Sequence, residues 1–382
     1  MKILYDYQAF FMQKFGGVSN SFVQLIEHLP REVEYEISLC ESDNVHLKES
    51  ELINVRAAQC TEENFISTTK FKGRGFLYRQ YSKFFPSCTS LGRNKLLSVE
   101  ALKRGDYDVF HSTFFDDYFL PYLNGKPFVL TVHDMIPELF FGKRDMQVKM
   151  KPRLCRESAH IIAVSEKTKA DLVDILNVPE EKVTVIYHGA PENTITSDGS
   201  PLIECKYLLY VGQRRLYKYF DQMLIRLTPV LKRHAELKLV CAGPSFTKKE
   251  QSLIKRLGVK DRIILLHPSD MELANLYAHA LCFIYPSIYE GFGIPILEAY
   301  RCQCPVLLNY KSCFPEIAQD AAIYFHLDDN LSDLEQVMEN ILAMPDDERN
   351  QLVEKQNLRL KAFSWEVSAK KLEEVYCGVI CG

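Results

Sequence analysis

What this 382-residue chain lacks closes off several classes of function. No apolar run approaches the ~18 residues of a membrane-spanning helix. Its first residues, MKILYDYQAF, do not have the shape of a secretory signal and read as a buried strand. Lys and Arg number 46 against 50 Asp and Glu, a net charge of −4, so the basic excess of a general nucleic-acid binder is absent. The 12 cysteines are scattered without paired CxxC elements. That excludes the usual zinc frameworks and predicts reduced, mostly buried thiols in a cytoplasmic protein. Also missing are a GxGxxG dinucleotide fingerprint and, at any strand end, a DxD cluster to hold a metal. Asp116-Asp117 and Asp328-Asp329 are adjacent pairs without that spacing. The expectation is a protein with no metal and no cofactor.

What is present is a soluble globular composition, 47% hydrophobic and 25% charged, in a chain long enough for two cores. Short apolar runs alternate with helical periodicity throughout. In the first half, strands at 1–7, 34–39, 107–110, 128–132, 160–164 and 183–187 end in polar residues. Among those ends are His111-Ser112, His133-Asp134, Ser165 and His188-Gly189, the way a doubly wound sheet presents side chains to a ligand. The loop FGGVS, holding Gly16 and Gly17, leads into a helix at 20–29. Residues 190–200, rich in Pro, Asn, Thr, Ser and Gly, read as a hinge. Strands at 207–211, 237–242, 263–266, 282–285 and 305–308 then repeat the alternation. Helices follow at 312–318, 331–344, 346–361 and 363–376. Two domains are predicted, 1–194 and 203–362, with the last helix, 363–382, packing back on the first. Segment 41–67 shows little pattern. Residues 70–104 mix cations with rings, as in FKGRGFLYRQYSKFF. That stretch reads as an amphipathic helix with its rings turned inward, in preference to a membrane-facing surface.

The most informative stretch is SIYEGFGIPILEAYRCQCP, residues 287–305. Glu290, Gly291, Phe292 and Gly293 form a loop, and Pro295 suits the first position of a helix carrying Glu298 in its opening turn. Glycines let backbone approach a ligand, and a helix start offers free N–H groups to an anion. A diphosphate flanked by hydroxyl-rich groups fits this site. The plain alternative, a strand–loop–helix joint with a capping acid, stands level with it on residue types alone.

That stretch and CPVL, with YVGQRRLYK upstream, GGVS near the start, and TVHDMIPE, AVSEKTKADL and KVTVIYHGA in the first half, resemble the retaining glycosyltransferases of family 4 across essentially the full chain. The resemblance implies a GT-B fold: two Rossmann-like domains with mostly parallel sheets facing each other across a cleft. The acceptor would bind the first domain and a nucleotide sugar the second. Carried over position by position, Glu290 would contact sugar hydroxyls and Glu298 the ribose. Gly291, Phe292, Gly293 and Ile294 would offer backbone N–H groups, with Gly212 beside them. Arg214 and Lys218 would neutralise the departing diphosphate, with Arg215 competing for Arg214's role. Gly16 and Gly17 would lie near the phosphates or acceptor. A lone strand-end histidine is usually structural, but the intact TVHDMIPE context assigns His133 to the catalytic site. His111 and His188 rank lower, as hinge or acceptor-side groups. Tyr219 departs from the Asn that the family commonly has after the lysine, which puts local helix capping in question.

The resemblance therefore implies metal-independent transfer of a hexose, first of all mannose from GDP-mannose, to a hydroxyl of a glycan or lipid-linked glycan. Two glutamates eight residues apart on one loop–helix unit do not suit a double displacement, so a front-face reaction is expected. Sugar-nucleotide epimerisation and a non-catalytic nucleotide-sugar-binding subunit are the rival readings. Peripheral contact with the cytoplasmic face of an inner membrane is a further expectation; nucleic acid is not an expected partner.

Overall fold

The computed structural model describes residues 1–66, 71–191, 199–328 and 332–382. Most of the predicted hinge, together with Lys70, Asp329 and Leu331, lies outside the described residues. The chain divides into two compact units, Met1–His188 with Trp365–Gly382, and Gly189–Ser364.

The first unit is built on a parallel sheet of six strands: β1 (Lys2–Tyr5), β2 (Glu34–Ile37), β3 (Val109–Ser112), β4 (Phe128–Val132), β5 (His160–Ala163) and β6 (Val183–Val185). They lie in the order β2-β1-β3-β4-β5-β6. Helices cover both faces, so central strands such as FVLTV of β4 are apolar at almost every position and wholly buried. From β1 the chain steps outward to β2 and then back past β1 to β3. Loops part at such a reversal, beyond the carboxyl ends of the strands. The last helix, Trp365–Cys381, belongs to this unit. Its Tyr376 hydroxyl lies 2.6 Å from Nδ1 of His111 and 2.8 Å from the Tyr5 hydroxyl, and Ser368 donates to the Tyr187 carbonyl at 2.6 Å.

The second unit repeats the plan with β7 (Tyr207–Val211), β8 (Lys238–Ala242), β9 (Ile263–Leu266), β10 (Cys282–Tyr285), β11 (Val306–Asn309) and β12 (Ile323–Phe325). The order is β12-β11-β10-β7-β8-β9, again parallel throughout, and the reversal falls between β7 and β10. The helix Phe220–Arg233 lays Met223, Leu224, Leu227, Val230 and Leu231 against Leu208, Leu239, Ile284 and Leu307 of the sheet. Burial of this kind, ~25 cal/mol per Å² of apolar surface, holds the helix despite Pro229 within it.

Several expectations change. His111 and Ser112 lie inside β3 and do not follow it. Segment 41–67 contains the short helix Val45–Glu49, capped by the Asn44 side chain, too brief to show a period. The sequence reading passed over β12 for the same reason. Asp106 and Asp108 stand at the entry to β3, both bonded to Lys2. The helix Arg74–Phe84 turns Arg74, Tyr78 and Ser82 inward at four-residue spacing; most of its rings point to solvent, the reverse of the expected packing. One ring and two polar side chains fill the buried stripe; on the outer arc Tyr81 packs on Phe65 and Phe85 at 5.1 Å, while Phe76 and Phe84 face solvent. Among the described residues no helix is long and apolar enough to cross a membrane.

Candidate active site

The loops that follow β7 and β10 lie side by side because those strands are neighbours. After β7 the backbone turns at Gly212, φ +111°, and a Cβ on Gly243 (φ +152°) would fall 2.6 Å from the Gly212 carbonyl oxygen. Only glycine permits that approach at position 243. A single turn, Leu216–Lys218, ends at Tyr219, which takes a left-handed φ of +53° before the helix Phe220–Arg233. The loop after β10 ends at Gly293, also left-handed at φ +95°, and the helix Ile294–Arg301 begins there. Pro295 is thus the second helical residue and Glu298 the fifth, past the opening turn expected for it. The two loops are joined by the Ile288 N–H, which donates to the Tyr217 carbonyl at 2.9 Å. From β11, Asn309 donates to the Pro286 carbonyl at 3.2 Å. Just beyond it, the Ser312 hydroxyl accepts from the Glu290 N–H at 3.0 Å and donates to the Glu290 carbonyl at 2.8 Å. Glu290 is therefore fixed at its backbone on both sides.

Its side chain meets the expected cation. Lys218 Nζ lies 2.5 Å from Glu290 Oε1 and 3.3 Å from the Tyr285 hydroxyl. Burial first, and Glu290 second, push the Tyr285 phenol well above its usual range, so it stays protonated. Arg214 is more deeply engaged than the sequence suggests. Its Nε donates to Glu250 at 2.9 Å, its Nη2 to the Pro244 carbonyl, and its guanidinium lies 4.5 Å from the centre of the Phe246 ring. Nη1 is buried and donates to nothing among the described residues. A buried donor left open in this way costs about 1–3 kcal/mol unless a ligand takes it. Arg215 is exposed. Glu298 receives the Tyr277 hydroxyl at 3.3 Å, and burial pushes its carboxyl up to about 7. The N–H groups of Gly293 and Ile294 have no acceptor among the described residues, as a helix start requires.

Glu250 was missed by sequence reasoning, although a signal existed. Thr247 and Glu250 form a reciprocal capping box at the start of helix Lys248–Leu257, and the same carboxylate also holds Arg214.

In the first unit, His133 leaves β4 with its ring stacked on His188 at 5.8 Å and edge-on to Phe22 at 5.7 Å. Its Nε2 is buried with no partner among the described residues. Burial, then the neighbouring His188, His111 and Lys151, hold its pKa well below the ordinary value, so the ring is neutral. Burial likewise lowers His188 to about 4. His111 is not an acceptor-side group: it is fully buried, with Nδ1 on Tyr376 and Nε2 2.8 Å from Thr131 Oγ1, and serves the core. At the β1/β3 reversal the Asp6 carboxyl, raised by burial to about 6, accepts from the Thr113 N–H at 3.0 Å and from Gln8 at 2.6 Å. Gly16 caps the helix Gly17–Glu27 in extended backbone. Lys151 was another omission: it is fully buried, 2.8 Å from Glu138 and 3.0 Å from the Asp134 carbonyl, beside His133 in sequence.

The structure thus brings Lys218 and Glu290 into contact, sets Arg214 against Glu250 and Glu298 against Tyr277. His133, Gly16 and Gly17 belong to the other unit.

The two halves match two family descriptions, "Glycosyltransferase Family 4" over residues 15–193 and "Glycosyl transferases group 1" over residues 200–359. The O-antigen chain mannosyltransferase RfbU of Salmonella typhimurium is 30% identical over 224 residues, 57% of this chain and 61% of that protein. The GDP-mannose:cellobiosyl-diphosphopolyprenol alpha-mannosyltransferase of Xanthomonas oryzae pv. oryzae is 28% identical over 58% of this chain and 60% of its own length. The chain thus matches about three fifths of the length of these curated relatives. Anabaena HepE, solved in complex with UDP and glucose, superposes over 99% of this chain and 100% of its own with a TM-score of 0.71 at 16% identity, a likeness of fold.

Proposed function

Because this chain belongs to the GT4-like glycosyltransferases of GT-B fold, we propose that it moves a hexose from a nucleotide diphosphate sugar to a hydroxyl of a glycan or lipid-linked glycan, with retention at the anomeric carbon. The observation that carries this reading is the Lys218–Glu290 pair at the β7/β10 reversal, beside the amide-bearing start of helix Ile294–Arg301. Donor entry would exchange partners: the diphosphate takes Lys218, and the freed Glu290 carboxylate accepts sugar hydroxyls. The open Nη1 of Arg214 and the N–H groups of Gly293 and Ile294 would complete the anion cradle, and Glu298 would accept from the ribose.

In the reaction, the acceptor oxygen bonds to the anomeric carbon as the bond from that carbon to the phosphate oxygen breaks, on the same face. The acceptor proton passes to the departing phosphate. Negative charge grows on the diphosphate, where Lys218 and Arg214 would neutralise it, so this reading requires no metal. Neutral His133, in the acceptor-binding first unit, would hydrogen-bond a sugar hydroxyl through Nε2. Mannose is the proposed sugar and GDP-mannose the donor, supported by the mannosyl relatives. A lipid-linked acceptor would bring the enzyme to the cytoplasmic face of a membrane.

Thermal-shift titration against a panel of nucleotide sugars tests the donor, since stabilisation grows as RT ln(1 + [L]/Kd) and singles out the true ligand. GDP-mannose should stabilise most, and acceptor should then release GDP. Stabilisation with no acceptor-dependent release would replace the transferase with an epimerase. Activity abolished by chelation and restored only by Mg²⁺ or Mn²⁺ would refute metal independence.

A further inference from the structure

We propose that Tyr285 is a positioning residue for the exchange of partners at Lys218 and Glu290. Its hydroxyl keeps the Glu290 carboxylate hydrogen-bonded and aimed at the donor sugar once the lysine has moved to the diphosphate. This role rests on the transferase reading and deepens it. Local structure sets the hydroxyl in place. Side chains of a strand alternate between the two faces of its sheet. In β10, Cys282 and Ile284 therefore enter the core beneath helix Phe220–Arg233, and Phe283 and Tyr285 share the other face with ring centres 5.2 Å apart. Phe314, which opens the helix Phe314–Ala318 after β11, covers the Tyr285 ring at 4.8 Å. Tyr285 is 2% exposed and is the last residue of β10. Two apolar rings thus hold it, and its oxygen stands at the strand end beside the loops that carry Lys218 and Glu290.

Packing does not explain that oxygen, because Phe283 and Phe314 would enclose a phenylalanine equally well. Its partners do. Lys218 Nζ donates to the hydroxyl at 3.3 Å and lies 5.2 Å from the ring centre. The phenol oxygen is therefore an acceptor, and its own proton remains to be donated. The acceptor for that proton is Glu290, which acts on the phenol through its charge and through a hydrogen bond. Glu290 is only 8% exposed. A carboxylate at that depth needs compensation when its cation leaves. The phenol supplies it: one carboxylate oxygen stays on the Tyr285 proton, and the other is left for a sugar hydroxyl. Without the phenol, Lys218 would be held back on Glu290, and the donor would have to compete with an intact, half-enclosed ion pair.

Tyr285→Phe in the full chain tests the role, since it removes one atom and keeps the ring. With GDP-mannose as donor, the dissociation constant should rise ~3–10-fold and kcat should fall ~10–100-fold, the range for a lost hydrogen bond to a charged group. The KM for acceptor should stay at its wild-type value, and the melting temperature within ~3 °C, because the enclosing rings are unchanged. A double-mutant cycle on donor binding separates positioning from packing. In a Glu290→Gln background the amide neither holds the lysine as an ion pair nor needs the phenol, so adding Tyr285→Phe should change the dissociation constant by less than ~2-fold. Wild-type kcat and donor affinity in Tyr285→Phe would overturn the proposal. So would the same fold loss in both backgrounds, the additivity expected of a ring that only fills space. A wild-type protein that binds no nucleotide sugar at all would remove the transferase reading and this role with it. Donor binding by the wild type beside an unaltered Phe variant would remove this role alone.

Discussion

Two lysine–glutamate pairs, one in each unit, differ in a way that separates architecture from chemistry. Lys151 and Glu138 lie 2.8 Å apart with side chains 0% and 3% exposed, and Lys151 also donates to the Asp134 carbonyl and faces the Phe115 ring at 4.7 Å. Lys218 and Glu290 lie 2.5 Å apart, 16% and 10% exposed, on the loops that leave β7 and β10. The first pair is enclosed by the fold; opening it would leave two charges without water. The second sits where a parallel sheet leaves its strand ends uncovered, so an incoming anion can replace one partner. Depth, and not residue type, makes one pair a fixture and leaves the other open to the exchange proposed for it.

The comparison can be broken at four points. Lys151→Met should produce the largest loss of stability, about 3–5 kcal/mol, by leaving Glu138 buried and unpaired. Lys151→Met with Glu138→Met should restore most of it, and donor affinity should be unaffected. Urea unfolding and nucleotide-sugar titration measure both, and a wild-type midpoint for the single variant would show that the enclosed pair is not structural. Lys218→Ala should do the opposite, lowering turnover ~30–1000-fold, or 2–4 kcal/mol, while shifting stability far less. Wild-type kcat would remove Lys218 from the site.

Glu298→Gln sharpens the comparison through pH. Folding raises this carboxyl from 4.5 to about 7, favouring its neutral form. The stability it contributes is present below the unfolded value and is lost as pH rises through about 7. The Gln variant should therefore be more stable than wild type at pH 8, on the order of 1–3 kcal/mol, with the gap closing toward pH 4. Donor affinity of the wild type should fall as pH drops through the same range, whereas the variant should bind weakly at every pH. Melting and titration from pH 4 to 8 measure this; a pH-independent gap between the proteins would remove the argument. The smallest effect is expected at Tyr219, whose φ of +53° suits Asn better than an aromatic residue. Tyr219→Asn should stabilise by about 0.5–1 kcal/mol in urea unfolding, and a loss would mean that ring packing outweighs backbone strain.

By itself the sequence determined the alternation of strands and helices, the division into two βα units and the glycine turns at Gly212 and Gly293. These rest on periodicity and backbone freedom, which neighbouring residues decide among themselves. It also located His133 at the end of β4, and Lys218 and Glu290 in the loops that follow β7 and β10. Tertiary structure alone decided what each charge meets. Lys218 reaches Glu290 across 72 residues and Arg214 reaches Glu250 across 36, because strand order brings distant loops together. The burial of Lys151 and the outward rings of helix Arg74–Phe84 were likewise invisible to periodicity, which says that a helix has two faces but not which one the rest of the chain will cover.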